Sequence, residues 1–283
     1  MYQFTSLPDS PIERRLVLEI INPNIVRGRI RRALFDFDGT LSLIREGWQD
    51  VMIPQMVEWL LETPHHESED ELIVVVKDYV ARLTGKQTVY QMIQLAEELS
   101  KRGGQPQDPL VYKHAYLARL WERIQDRVAG LKAGTIPPDD MMVPGSRAML
   151  EALAERGVRC YLASGTDEPY VLDEAAALQV TPFFAGIYGA QDDYKAFSKK
   201  LLIERIIAEQ GLAGPEFVAF GDGFVEIEDT KLVDGIAVGV ATNEAERAGI
   251  DEWKRTRLIQ AGADVIVPDF REHAALVRYL FEA

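Results

Sequence analysis

Asp36 and Asp38 stand two residues apart in Asp36-Phe37-Asp38-Gly39-Thr40, directly after the apolar run Ala33-Leu34-Phe35. Two carboxylates at this spacing face one small volume if the chain turns between them. The Gly-Thr pair that follows lets the backbone bend and offers N–H groups to an anion. Further along, Ser164 of Ser164-Gly165-Thr166 ends another apolar run, and its hydroxyl and the following N–H groups suit a phosphoryl oxygen. Lys199 lies at the start of a helical pattern, where an ammonium and the helix dipole both stabilise negative charge. Asp222 stands between Gly221 and Gly223. A hard cation such as Mg²⁺ takes its oxygens from one or two carboxylates plus water and phosphate, and Asp36, Asp38 and Asp222 can supply them. Taken singly, each feature has a plainer reading: a turn for the two Asp motifs, a helix cap for Ser164, a surface lysine for Lys199.

The elements that must position these residues read as strands and helices in alternation. Val158 to Ala163 runs into Ser164, Phe217 to Phe220 into Gly221, Ile236 to Val240 into Ala241, and Val265 to Val267 into Pro268. Near-continuous apolar runs of this kind suit strands covered on both faces, as in parallel sheets. Ser146 to Arg156 reads as a helix stopped by Gly157, and Ser198 to Gln210 as another, with Ser198 as N-cap and Gly211 just past its end. The alternation predicts a doubly wound, Rossmann-like α/β domain with a parallel sheet, in which ligands bind beyond the carboxyl ends of the strands.

Residues 43–142 differ. Trp48 to Leu61, Glu69 to Leu83, Thr88 to Lys101 and Leu110 to Ala129 show apolar residues at helical spacing, separated by Thr63-Pro64, Gly103-Gly104 and Pro137-Pro138. They predict an inserted α-helical cap domain at 43–142, inside a core domain formed by 1–42 and 143–283. Residues 1–30 read as an extension of unknown role, with Arg15 to Ile21 as a candidate edge strand. Trp59 and Trp121 are expected in the core, and the four histidines lack metal-ligand spacing.

The chain has 283 residues, 47% of them hydrophobic, enough for a sizeable core, and a formal net charge of −14. That charge disfavours nucleic acid and anionic membrane surfaces as partners, and any phosphate site needs a local cation against it. No apolar stretch approaches the roughly 20 residues that span a bilayer. The start of the chain has no secretory-type apolar region, and a cytoplasmic location is expected. The one cysteine, Cys160, sits in an apolar run as an expected inert thiol.

The series Asp36-Phe-Asp38-Gly-Thr, Ser164-Gly-Thr, Lys199 and Gly221-Asp222-Gly223-Phe-Val-Glu226 resembles the four motifs of the haloacid dehalogenase superfamily. The resemblance spans the core domain, about two-thirds of the chain. Lys199 precedes Asp222 by one helix plus one strand, as that pattern requires, with Lys195 and Lys200 as nearby rivals. The resemblance implies that Asp36 attacks phosphorus and that Asp38 acts as acid and base. It further implies that Thr40, Ser164, Gly165 and Lys199 hold the phosphoryl group, and that Asp36, Asp38 through its carbonyl, and Asp222 bind Mg²⁺. Two departures matter. The usual second Asp of the fourth motif is Glu226, placed to reach the metal through a water. Asp38 is present, whereas the superfamily's dehalogenases lack it, which favours phosphate chemistry.

An insertion between the first two motifs is where the helical cap of phosphoglycolate phosphatases and β-phosphoglucomutases sits. A cap excludes bulk water and reads the leaving group. Arg45 and Trp48, and Lys86 in the loop Thr84-Gly85-Lys86-Gln87, are candidate cap-side contacts, with a solvated linker as the equal alternative. The expected function is a Mg²⁺-dependent phosphatase acting on a small phosphomonoester such as a sugar phosphate. A phosphosugar mutase and a non-catalytic phosphate-binding or regulatory module are the alternatives.

Overall fold

The structure is a computed structural model that describes residues 3–4, 18–195 and 197–282. Six parallel strands form its centre: β3 (Arg32–Phe35), β4 (Arg159–Asp167), β5 (Phe184–Ala190), β6 (Phe217–Gly221), β7 (Ile236–Val240) and β8 (Val265–Val267). Two short antiparallel strands, β1 (Gln3–Phe4) and β2 (Glu19–Ile20), extend the β8 edge, giving the order β1-β2-β8-β7-β6-β3-β4-β5. The strand expected within 15–21 is Glu19–Ile20, and it is not the edge, because β1 pairs on its outer side; residues 15–17 lie outside the described residues.

Alternation along β3 explains the two covered faces. Ala33 and Phe35 join one buried cluster and Leu34 another. Phe35 stacks on Phe220 of the neighbouring strand with ring centroids 4.5 Å apart, and both meet Phe270. Helices α5 (Ser146–Glu155), α6 (Glu168–Ala177) and α10 (His273–Phe281) cover the first face. Helix α7 (Lys199–Gln210) packs on the second, with α8 (Phe224–Leu232) and α9 (Glu252–Gln260) beside it. Burial pushes the Cys160 thiol up to about 12, so this cysteine is an inert core residue.

Chain order reverses between β3 and β6, which pair in register from Arg32↔Phe217 to Phe35↔Phe220. This is a topological switch point, where strand ends leave a crevice for ligands. The Asp36 N–H still donates to the Phe220 carbonyl at 2.9 Å, so the first acidic residue is fixed by the sheet itself.

Between β3 and α5 the chain forms four helices, α1 (Gln49–Leu61), α2 (Glu69–Leu83), α3 (Thr88–Lys101) and α4 (Pro109–Ala133). Ser68 and Glu71 form a capping box at the start of α2, which keeps the β-branched run Ile73-Val74-Val75-Val76 helical. Helix α4 starts at Pro109 with Asp108 as its N-cap and runs past the expected stop at Ala129. Gly130 stays helical, and a methyl there would collide with Ile136 packed alongside. Trp121 departs from expectation: it is 40% exposed, because α4 is long enough to present a solvent face. No helix among the described residues is long and apolar enough to cross a membrane.

Candidate active site

Asp36 leaves β3 at the switch point and is buried, 6% exposed. One oxygen, Oδ1, accepts from the Phe37 N–H at 2.8 Å and meets the Lys199 ammonium at 2.8 Å. Burial pushes the Asp36 carboxyl well above its ordinary range, and Lys199 pulls against that. Burial would in turn lower Lys199, but the Asp36 and Glu226 carboxylates outweigh it and keep the ammonium charged. Lys199 is placed by the start of α7, where the Ser198 side chain accepts from the Leu201 N–H at 3.1 Å as N-cap. The rivals Lys195 and Lys200 are exposed, and Lys200 pairs only with Glu204.

Asp38 follows after one residue. Its Oδ2 accepts from the Thr166 hydroxyl at 2.8 Å and the Ser164 hydroxyl at 3.2 Å. Its Oδ1 is buried without a hydrogen-bond partner, and the nearest cation is Arg45, with Nε 3.9 Å away. Strand β4 does not end at Ser164. It continues through an irregularity to Asp167, and α6 is capped from there. That extension brings Thr166 onto Asp38, a contact missed at the sequence level although Thr166 belongs to the same motif. Thr40, by contrast, is fully buried; its hydroxyl has no partner and does not line the cavity.

Gly39, at φ +74°, makes the turn that carries the chain past Asp222. A methyl at Gly39 would overlap the Asp222 carboxylate, so glycine is what lets the β3 and β6 ends close up. Asp36, Asp222 and Glu226 bring ligand oxygens within 4.8 Å of one another. Glu226 is fully buried; it accepts from the Gly223 N–H at 2.7 Å and from Lys199 at 2.9 Å. Both Glu226 oxygens are therefore engaged, and the residue anchors Lys199 while capping α8. Among the described residues no donor reaches Asp36 Oδ2 or Asp222 Oδ1. An open pair of carboxylate oxygens beside a cavity suits a hard divalent cation of the Mg²⁺ type.

Asp222 Oδ2 is occupied by the Lys254 ammonium at 2.8 Å, and Lys254 also meets Glu244 Oε1 at 2.6 Å. Sequence reading missed both residues: Glu244 sits in the loop after β7 without a motif-like string around it, and Lys254 lies in the first turn of α9. Burial pushes the Glu244 carboxyl up against the pull of Lys254.

The cavity over these groups is walled on its far side by Arg45, Glu46, Trp48, Lys86, Gln91 and Tyr116. Arg45, Trp48 and Lys86 thus line the same space as the acidic residues. Arg45 is locked into the buried Glu174 carboxylate, Nη2 to Oε1 at 2.6 Å and Nε to Oε1 at 3.1 Å. Burial pushes Glu174 up to about 7 despite that pairing. The loop at 84–87 reaches the sheet: a methyl on Gly165 would lie 2.8 Å from the Lys86 carbonyl oxygen. The Gln87 amide donates to the Phe197 carbonyl at 2.7 Å and the Tyr194 carbonyl at 3.1 Å.

The family model of haloacid dehalogenase-like hydrolases matches residues 30–228. No curated protein matches the sequence. Among solved structures, a predicted phosphoglycolate phosphatase from Haemophilus somnus superposes with a TM-score of 0.59 at 14% identity, over 88% of this chain and 98% of that one. A β-phosphoglucomutase from Clostridium difficile gives 0.59 at 12% identity, over 88% and 97%. CbbY from Rhodobacter sphaeroides, in complex with phosphate, gives 0.54 at 19% identity, over 86% and 96%. At these identities the likeness is one of fold.

Proposed function

Because the chain belongs to the haloacid dehalogenase-like hydrolases, we propose that it is a Mg²⁺-dependent phosphatase that cleaves a small phosphomonoester through a phosphoryl group carried on Asp36. One observation carries this reading. A buried carboxylate held by an ammonium at 2.8 Å lies at the switch point, with a second carboxylate two residues on held by two hydroxyls.

In the first half-reaction the Asp36 carboxylate attacks phosphorus, and the bond from phosphorus to the alcohol oxygen breaks. Asp38 gives that oxygen a proton; its partnerless Oδ1 is the atom free to carry it. In the second, Asp38 takes a proton from water, which displaces Asp36 from phosphorus and releases phosphate. Lys199 offsets the charge that builds up as one anion approaches another, and Glu226 keeps its ammonium on Asp36. Ser164 and Gly165 supply donors for the phosphoryl oxygens. Bound through Asp36 and Asp222, Mg²⁺ would supply Lewis-acid neutralisation of the phosphoryl oxygens. Residues 43–142 act as the cap that selects the alcohol, with Lys86 and Trp48 among the side chains it presents to the cavity.

Transfer to a sugar hydroxyl in place of water would use the same groups, so the assay must tell the two apart. A panel of phosphomonoesters with Mg²⁺ should show phosphate release from at least one compound, lost in Asp36→Asn. Isomerisation of a sugar phosphate without release would make the protein a mutase. Release that survives Asp36→Asn would refute the reading.

A further inference from the structure

Two of the charged side chains to which the chemistry above gives no role lie directly against Asp222. Glu244, in the loop after β7, lines the cavity, and Lys254, in the first turn of α9, is 8% exposed. Their contacts are not those of an ordinary surface pair. The Lys254 ammonium bridges Asp222 Oδ2 at 2.8 Å and Glu244 Oε1 at 2.6 Å, and the Gly39 Cβ position lies against both carboxylates. Asp222 is also one of the three residues whose oxygens converge within 4.8 Å. A fixed positive charge is therefore bonded directly to a metal-facing carboxylate.

Lys254 is positioned by its own helix. Asp251 caps α9, accepting from the Trp253 and Lys254 N–H groups at 2.9 and 3.0 Å, so the lysine leaves a rigid turn. The charge balance shows what it does there. Asp36, Asp38, Asp222, Glu226 and Glu244 face the site against the ammonium groups of Lys199 and Lys254 and the Arg45 guanidinium, which lies 3.9 Å from Asp38 and is shared with Glu174. Without Lys254, Asp222 and Glu244 would form an uncompensated acidic pair beside the other carboxylates. A larger, more flexible set of oxygens suits Ca²⁺, which takes six to eight ligands, whereas Mg²⁺ needs one or two carboxylates in a strict octahedron.

We infer that Lys254 is a built-in counter-cation of the metal site, held by Glu244, and that this pair sets how tightly the site binds Mg²⁺ and how well it rejects Ca²⁺. The inference rests on the Mg²⁺ reading of the site. Lys254 acts through Asp222 and is a positioning residue. It lowers the negative potential at the centre, keeps one oxygen of Asp222 turned away, and fills the place between Asp222 and Glu244 that a second cation would otherwise take. Glu244 in turn shares the ammonium, so that Lys254 does not press on Asp222 alone.

The two partners therefore have opposite effects on metal affinity. Calorimetric titration of the full chain with Mg²⁺ and with Ca²⁺ reads them out without any turnover. Lys254→Met should tighten Mg²⁺ binding by about tenfold, by removing a nearby positive charge, and tighten Ca²⁺ binding further, so the preference for Mg²⁺ shrinks. Glu244→Gln should weaken Mg²⁺ binding by a similar factor, and Lys254→Arg should restore the unsubstituted preference. A purely structural pair would shift both single variants in one direction, and that result, or no shift in either, overturns the inference. If Lys254→Met does not fold by circular dichroism, Glu244→Gln decides: unchanged or tighter Mg²⁺ binding overturns it. Asp222→Asn separates the two levels. If the unsubstituted chain binds Mg²⁺, loses it in Asp222→Asn, and shows no opposed shifts, only the counter-cation is refuted. If it binds no Mg²⁺, both readings fall.

Discussion

On the sheet side of the cavity, each candidate side chain leaves a strand end or the first turn of a helix and is bonded to another. Asp36 is tied to Lys199, Lys199 to Glu226, and Asp38 to Ser164 and Thr166. On the helical side Arg45 is locked to Glu174, but Trp48, Lys86 and Gln91 also line the space, and the Lys86 ammonium sits over the Tyr90 ring at 5.8 Å with no ion pair among the described residues. The difference is one of tolerance. A phosphoryl group in transfer needs donors fixed to a fraction of an ångström. A leaving group can be read by a looser surface that moves, and a loop held to the sheet by a few contacts can open to exchange it.

Breaking the rigid side should give the largest effect. Asp36→Asn is expected to reduce kcat by about 10⁴-fold or more, the loss typical of removing a nucleophile, while its folding midpoint in urea stays or rises. A rise is reasonable, because burial disfavours the ionised carboxyl that the substitution removes. Residual kcat near that of the unsubstituted chain would place the chemistry elsewhere.

The next test acts on the join between the two sides. Gly165→Ala puts a methyl 2.8 Å from the Lys86 carbonyl oxygen. Both backbones would have to move apart, and a misplacement of that size costs about 10²-fold in kcat/KM. An activity within twofold of the unsubstituted value would mean that the 84–87 loop does not close on the sheet during turnover.

How much of this contrast was legible in the sequence follows the same division. That Asp36, Asp38 and Asp222 come together could be read because strand ends in a doubly wound sheet converge, and Lys199, at the start of α7, was placed beside them by the spacing of the motif series. The four inserted helices were equally visible from their spacing, to within a residue or two for α1 to α3. Contacts made by residues distant in sequence were hidden. Nothing local marks Lys254 as the partner of Asp222, or Glu174 as the acceptor of Arg45. Glu226 was read as one methylene too long for a direct metal contact. In the structure that length lets one oxygen cap α8 while the other holds Lys199. Trp121 misled because it adjoins the buried Leu120 in sequence but lies on the exposed face of α4, between the buried positions Leu120 and Ile124.

A third prediction probes how the cap is held down. Lys113 of α4 is 1% exposed, and its ammonium meets Asp167 at 2.8 Å and Asp192 at 3.1 Å on the sheet side. Lys113→Met should lower stability by about 1–3 kcal/mol, through Asp167 left without its cation, and raise KM more than it changes kcat. Equal loss in both would indicate that Lys113 acts on the chemistry itself.

The smallest effect concerns pH. Glu174 titrates near 7 in the fold because burial raises it, and Arg45 pulls against that. A carboxyl raised on folding contributes stability that is complete below its unfolded pKa and is lost as pH rises through about 7. Urea unfolding should therefore show stability falling by on the order of 1–3 kcal/mol between pH 5 and 8, with a shallower fall in Glu174→Gln. An unchanged slope in that variant would assign the pH dependence to other groups.

The account turns on Asp36 as the atom donor to phosphorus, and mass spectrometry of the rapidly quenched enzyme tests it most directly. During turnover of a phosphomonoester the protein should gain one phosphoryl group, located on the peptide that contains Asp36 and absent from Asp36→Asn. A phosphoryl group found on another residue, or sustained turnover with none trapped at Asp36 when Asp38→Asn is used to slow its hydrolysis, would contradict it.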